Sequence, residues 1–259
     1  MGSISPETGR VFAGAASGQL ATRPAIASSE ADPDSGPAIP GYLHEHYWWT
    51  YVHPNAVRVF ERPWLVNLIL WGKYVTMRDA AVAELGESMP GRTLQVACVY
   101  GDLTPRLAAR VPPGAQLDVV DVLPLQLSNL RAKLPQDAPV RTLRMNSAEM
   151  AQLPDATYDR ALLFFLLHEM PVPVREATLR EALRVLKPGG KLVVVDFARP
   201  SAWHPLKYVW HPVLTRLEPF APDLWTYPVA TWLPESHRGR ITSHTGYLGG
   251  FYQMLVITA

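Results

Sequence analysis

Cysteine is nearly absent. Cys98 is the one thiol in 259 residues, which excludes an internal disulfide and any zinc cage built from cysteines. It suits a reducing compartment and reads as a small buried strand residue. Charge of either sign is scarce too: 24 lysines and arginines face 23 aspartates and glutamates, a net charge of +1. No cationic cluster offers a face to a phosphate backbone, so nucleic acid is disfavoured as a partner. Long apolar runs are also missing. The longest, "WLVNLILWG" at 64–72, falls well short of the ~20 residues that cross a bilayer, and no membrane-spanning segment is expected.

What is present suggests one domain with an insertion. Residues 1–38 are rich in Ala, Ser, Gly and Pro, include the turn-prone "SSEADPDSGPAIPG", and are expected to form a disordered leader. Arg10 and Arg23 suit a targeting peptide, but Glu7, Glu30, Asp32 and Asp34 argue against one. Residues 39–92 read as a helical, membrane-facing lid, and 93–259 as the α/β domain. In that domain apolar runs alternate with amphipathic stretches, the pattern of a parallel sheet covered by helices. Strands are expected at "TLQVACV", "QLDVVDV", "DRALLFFLL" and "KLVVVDF". The helix "REATLREALRVL" turns Leu179, Ala182, Leu183 and Leu186 inward, and Lys187-Pro188-Gly189-Gly190 should end it. "RITSHTGY" and "FYQMLVIT" flank Gly249-Gly250 as a closing antiparallel hairpin. The Trp/Pro-rich stretch 201–235 fits neither period and reads as an insertion over one end of the sheet.

In such sheets ligands bind beyond the carboxyl ends of the strands, at the switch point in strand order. The expected ends are Val99-Tyr100-Gly101-Asp102, Asp121, His168-Glu169 and Asp196. Asp121 lies near the ~20-residue offset at which a carboxylate accepts hydrogen bonds from a ribose, which suggests a nucleoside ligand.

"EALRVLKPGGKLVVVD" resembles a helix and strand of the class I S-adenosylmethionine-dependent methyltransferases, a doubly wound Rossmann-type fold. The resemblance implies that Asp121 and Val122 meet the ribose side of the cofactor, and that Asn146, Ser147 and Ala148 lie near its adenine. The opening turn departs from the family. Where the family has an acid and a Gly-x-Gly turn, this chain has Gln95 or Ala97 and then Val99-Tyr100-Gly101. A closer likeness carries that departure: "TLQVACVYGDLTPRLAARV", "LDVVDVLPLQLSNLRAKL" and "ITSHTGYLGGFYQMLVI" resemble RquA, the rhodoquinone-biosynthesis family of bacteria. This implies conversion of ubiquinone to rhodoquinone, with a ring methoxy group replaced by an amino group, S-adenosylmethionine as amino donor and Mn²⁺ assisting. On that view Tyr100 and Asp102 exclude the usual cofactor pose and Asp102 orients the donor amine, while Val99 and Gly101 complete the cofactor-binding turn.

His168 and Glu169 are the candidate metal ligands and general bases. "YLHEHYWWTYVHP" adds His44, Glu45, His46, Tyr51 and His53, with His44 and His46 as further metal candidates in an extended segment and an aromatic packing segment as the alternative. An isoprenoid quinone implies contact with a lipid surface, and hence a bacterial cytoplasmic protein peripheral to the inner membrane. The region around Trp64, Leu65, Leu68, Ile69 and Trp71, with Arg58, Arg62 and Lys73, and the tryptophans Trp203, Trp210, Trp225 and Trp232 suit that contact. Two other readings stay open: a quinone or phenol methyltransferase with an altered turn, and a non-catalytic nucleoside- or quinone-binding module.

Overall fold

The computed structural model describes residues 36–47 and 59–259; residues 1–35 of the expected leader, and Tyr51, His53 and Arg58, lie outside the described residues. The apolar runs form the inner strands, because each is covered on both faces. Among these inner strands are β1 (Arg92–Val96), β2 (Gln116–Asp121), β4 (Tyr158–Phe164) and β5 (Leu186–Phe197). With β3 (Val140–Arg144), β6 (Ile241–Tyr247) and β7 (Tyr252–Thr258) they make a seven-stranded sheet in the order β3-β2-β1-β4-β5-β7-β6. β1 to β5 run parallel, and β7 is antiparallel to both β5 and β6. The sheet is therefore the expected α/β Rossmann-like architecture, closed by the antiparallel hairpin. Strand order reverses between β1 and β4, and the crevice there opens beyond their carboxyl ends.

The described helices are α1 (Gly41–His46), α2 (Pro63–Ile69), α3 (Tyr74–Leu85), α4 (Leu103–Ala108), α5 (Pro124–Lys133), α6 (Val172–Arg184), α7 (Leu206–Leu217) and α8 (Ala221–Thr226). Proline stands in the first turn of α2, α5 and α6, where its missing N–H breaks no helical bond. α3 packs on β5 through Met77, Ala81 and Leu85, and α6 on the same strand through Leu179, Ala182 and Leu183.

Three local expectations change. "VRTLR" forms the edge strand β3, which the sequence reading lacks. Its half-exposed residues show no apolar run; Arg141 instead reaches across to Asp118 on β2, at 2.9 and 2.8 Å. Lys187-Pro188-Gly189-Gly190 does not separate helix from strand, since α6 ends at Arg184 and β5 begins at Leu186. The four residues form a bulge within β5: the pairing steps from Tyr158↔Leu186 to Arg160↔Lys191, and Gly189 supplies the φ of +79° that the detour needs. The Trp/Pro-rich stretch is largely helical, with Pro212 inside α7. Its period is obscured by apolar side chains on the outer face as well as the inner one.

Candidate active site

A cavity of about 450 Å³ opens at the switch point. Its floor is the residues that leave β1, β2 and β3 (97–100, 121–123 and 145–147), and its far wall comes from 164–170, Phe197, α2 and α7.

The turn after β1 is built by side chains. Ala97 takes φ +71°, a left-handed conformation that costs a residue with a Cβ about 1–2 kcal/mol. Buried Gln95 holds it there. Its Nε2 donates to the Ala97 carbonyl at 3.0 Å, while its Oε1 accepts from the Thr104 hydroxyl at 2.9 Å. Gln95 therefore shapes the turn internally. Gly101 also has positive φ, +84°, and an added Cβ would stand 2.7 Å from the Tyr74 hydroxyl, so only glycine fits. That hydroxyl donates to the Tyr100 carbonyl at 3.1 Å. The Tyr100 ring stacks on Phe60, centroids 5.9 Å apart, and its hydroxyl accepts from Gln126 Nε2 at 3.0 Å. Lys133 Nζ donates to the carbonyls of Val99 (3.3 Å) and Gly101 (3.1 Å) and to both oxygens of Glu61 at 2.9 Å. Glu61 in turn accepts from Gly101 N at 3.3 Å.

Val99 and Tyr100 line the cavity, but Asp102 does not. Its carboxylate is engaged by Arg78 at 2.6 Å and Arg106 at 2.7 Å. Burial raises its pKa, yet these two guanidinium groups more than offset that and hold it below the ordinary value. The expectation that Asp102 orients a donor amine is thus not met: as the residue opening α4 it takes the two nearest cations.

Asp121 is buried at the end of β2 and lines the cavity. Its oxygens accept from Cys98 N at 2.8 Å and Leu123 N at 2.9 Å. Burial outweighs these bonds and raises its pKa. The Cys98 thiol is pushed well above its ordinary value by burial and then by Asp121, which suits an inert thiol. Val122, Asn146 and Ser147 line the same side, whereas Ala148 stands behind them, donating its N–H to Asn146 Oδ1 at 3.0 Å.

His168 and Glu169 lie on a short 3-10 turn, Leu167–Glu169, just past β4. The chain leaves the strand at Phe165, φ +52°. Asp196, at the end of β5, anchors that turn: one oxygen accepts the amides of Leu166 (3.1 Å) and Leu167 (2.7 Å), and the other meets His168 Nδ1 at 2.9 Å. Burial depresses the His168 pKa, but Asp196, with help from Glu218 and Glu169, prevails and lifts it to about 9. Held by Asp196, the ring is suited to donate a hydrogen bond into the cavity. Glu218, at the end of α7, faces the same cavity; burial raises its pKa, against the pull of His168 and of a hydrogen bond from Tyr47.

His44 is exposed on α1, and His46 packs edge-on against Phe220 with centroids 5.4 Å apart. Helical rather than extended, α1 sends the two rings apart. Among the described residues no three His, Cys, Asp or Glu side chains converge to hold a metal ion. His44, His46, His168 and Glu169 thus form no single centre. Glu61, Gln126, Lys133 and Glu218 belong to no motif in the sequence, each lying in a helical or irregular stretch away from the strand ends. Asp196 was visible as a strand-end acid, though not as the partner of His168.

Residues 93–190 match the family described as a methyltransferase domain. The ubiquinone/menaquinone biosynthesis C-methyltransferase UbiE of Syntrophotalea carbinolica is 36% identical over 152 residues, 57% of this chain and 62% of that protein, so this chain covers less than two thirds of that relative. UbiE of Cupriavidus metallidurans is 30% identical over 178 residues, 69% of this chain and 67% of that protein. Among solved structures, an O-methyltransferase family protein from Burkholderia thailandensis superposes with a TM-score of 0.56 at 15% identity, over 78% of this chain and 59% of that one. The N-methyltransferase NodS from Bradyrhizobium japonicum, in complex with S-adenosyl-L-homocysteine, gives 0.52 at 13% identity, over 81% and 98%. At those identities the likeness is one of fold.

Proposed function

The chain belongs to the class I S-adenosylmethionine-dependent methyltransferases, and we propose that it acts on the ring of an isoprenoid quinone or its phenolic precursor, with methyl transfer as the leading reaction. One observation carries this reading. A single cavity joins a buried carboxylate suited to a ribose, Asp121, to an apolar chamber walled by Phe164, Phe165, Phe197 and α7, with His168, Glu169 and Glu218 among its lining. The UbiE relatives are quinone-biosynthesis C-methyltransferases by name.

The residues fit S-adenosylmethionine at its nucleoside end. Asp121 lines the cavity at the end of β2, where a ribose hydroxyl can meet its carboxylate, and Val122, Leu123 and Met145 give an apolar slot beside Asn146 for a flat base. When bound, the cofactor supplies an electrophilic methyl group. The protein's part is then to activate a ring carbon. His168, charged through Asp196, donates a hydrogen bond to a ring oxygen and stabilises the phenolate. Of Glu169 and Glu218, one accepts the phenolic proton as the phenolate forms and returns it afterwards, and the other accepts the ring proton once the new carbon–carbon bond has formed.

A second reading is favoured by Tyr100. Its ring and Phe60 fill space that a Gly-x-Gly turn leaves bare, which supports another placement of the methionine end and amino transfer of the rhodoquinone type. For Mn²⁺ the described residues offer no convergent donor set, and no step is assigned to it.

The deciding experiment gives the purified protein S-adenosylmethionine carrying ¹³C in the methyl and ¹⁵N in the α-amino group, with ubiquinone or a demethylated phenolic precursor, with and without Mn²⁺. Ring ¹³C with adenosylhomocysteine establishes methyl transfer. Ring ¹⁵N establishes amino transfer and overturns the leading reading. Cofactor binding with neither label transferred would mean a binding module.

A further inference from the structure

The largest exposed apolar side chains gather on two neighbouring helices. On α2 and the turn after it, Trp64 is 61% exposed and Leu68 66%; just before and on α7, Trp203 is 92% exposed and Tyr208 72%. Ile69, Trp71, Val75, Val209 and Leu217 extend the same surface. Scattered single hydrophobes are ordinary, but a concentration on this scale marks an interaction face. The turn after α2 meets α7, where the rings of Trp71 and Trp210 touch edge to face with centroids 5.3 Å apart. The cavity opens between them: Ile69 and Leu217 are exposed and also line it.

The charge of this face has one sign. Residues 62–77 carry Arg62 and Lys73 with no carboxylate, and residues 198–217 carry Arg199, Lys207 and Arg216, also with none. Of the bordering acids, Glu61 turns onto Lys133 and Glu218 into the cavity wall, while Asp79 is paired with Arg78. In a chain whose charges nearly cancel overall, two segments without acids lie side by side around an apolar mouth. Exposed tryptophan and tyrosine ringed by cations is the chemistry of the lipid headgroup zone, where aromatic rings sit at the interface and Lys and Arg meet anionic headgroups. No described helix is long and apolar enough to cross the bilayer, so the contact is interfacial.

We propose that the outer faces of α2 and α7, with Trp203, dock on an anionic lipid bilayer and set the cavity mouth against it. Entry of an isoprenoid acceptor by this route rests on the functional reading above, whereas docking itself does not.

The test is flotation of the full-length protein with vesicles of phosphatidylcholine alone and of phosphatidylcholine mixed with phosphatidylglycerol. The protein should float with the mixed vesicles, remain largely behind with the neutral ones, and be released by salt. Loss of each cation should weaken binding roughly fivefold, so the variant Arg62→Glu, Arg199→Glu, Arg216→Glu should lose flotation. The variant Trp64→Ser, Leu68→Ser, Trp203→Ser, Tyr208→Ser should also lose it while keeping its circular dichroism spectrum and its affinity for adenosylhomocysteine. Flotation requires no turnover, so a chain inactive on every quinone would still answer the question. Three results would overturn the proposal: wild-type protein that does not float with anionic vesicles, a fourfold variant that floats as well as wild type, or a concentration-dependent dimer abolished by the same four substitutions, which would make the face a contact between copies.

Discussion

Lys133 Nζ stands 2.9 Å from both carboxylate oxygens of Glu61, and the same ammonium donates to the carbonyls of Val99 and Gly101. A residue ahead of the α/β domain and a residue at the end of α5 thus hold the turn after β1. Both side chains are about four-fifths shielded from solvent, 17% exposed for Glu61 and 20% for Lys133. Removing one partner strands the other's charge. Lys133→Met should destabilise the protein by about 3 kcal/mol, and Lys133→Met with Glu61→Leu by clearly less. Urea unfolding of the two single variants and the double variant measures the coupling.

Ala97 is strained and its neighbours hold it there. Ala97→Gly relieves a left-handed cost of about 1–2 kcal/mol, of which glycine's greater unfolded-state freedom returns up to about 1. The variant should be as stable as the parent or up to about 1 kcal/mol more so. A fall in the urea midpoint would show that the Cβ contributes packing the strain argument omits.

Asp121→Asn keeps the shape of the side chain and removes its charge. Loss of a charge-assisted hydrogen bond costs about 1.5–3 kcal/mol, which should weaken adenosylhomocysteine binding roughly 10- to 100-fold. Calorimetric titration reads this directly, and unchanged affinity would remove Asp121 from the cofactor site.

The pH dependence of stability should carry the signature of His168. Its folded pKa, about 9, lies above the unfolded value near 6.5, so its contribution is fully present below pH 6.5 and is lost as pH rises through 9. The linked free energy is on the order of 3 kcal/mol. In Asp196→Asn that contribution is gone, so the stability gap between variant and parent should narrow from pH 6.5 to 9. A gap that stays constant would mean that His168 is neutral in the folded protein.

Arg175 is fully buried on α6 and holds the turn carrying His168. It donates to the carbonyls of Leu167 (2.9 Å), Met170 and Phe220 (3.0 Å each), with its guanidinium 4.2 Å from the Trp232 ring centroid. Arg175→Met leaves three buried acceptors short of a donor and should destabilise by about 3 kcal/mol or more. Hydrogen exchange should rise first at Leu167 to Met170.

The sheet was legible wherever strands are buried on both faces. "QLDVVD" and "LVVVDF" carry the apolar runs that such burial imposes, and Gly249-Gly250 marks the hairpin. β3 was not, because an edge strand held by Arg141 and Asp118 has neither an apolar run nor clean alternation. At the site the strand-end acids could be read as positions but not as partners. Nothing local separates Asp102, taken up by Arg78 and Arg106, from Asp121, facing the cavity. Glu61 and Lys133 come together only through the fold, 72 residues apart, a separation that no pattern encodes.

The clasp on the β1 turn bears on how the protein can be recombined with its relatives. Glu61 and Phe60 belong to a cap ahead of the methyltransferase domain matched at residues 93–190, yet Tyr100 and Lys133 inside that domain are fitted to them. A chimera that joins this cap to another catalytic domain, or the reverse, would inherit half a joint. The cap and the turn must therefore travel as one module, and the seam for grafting lies outside both.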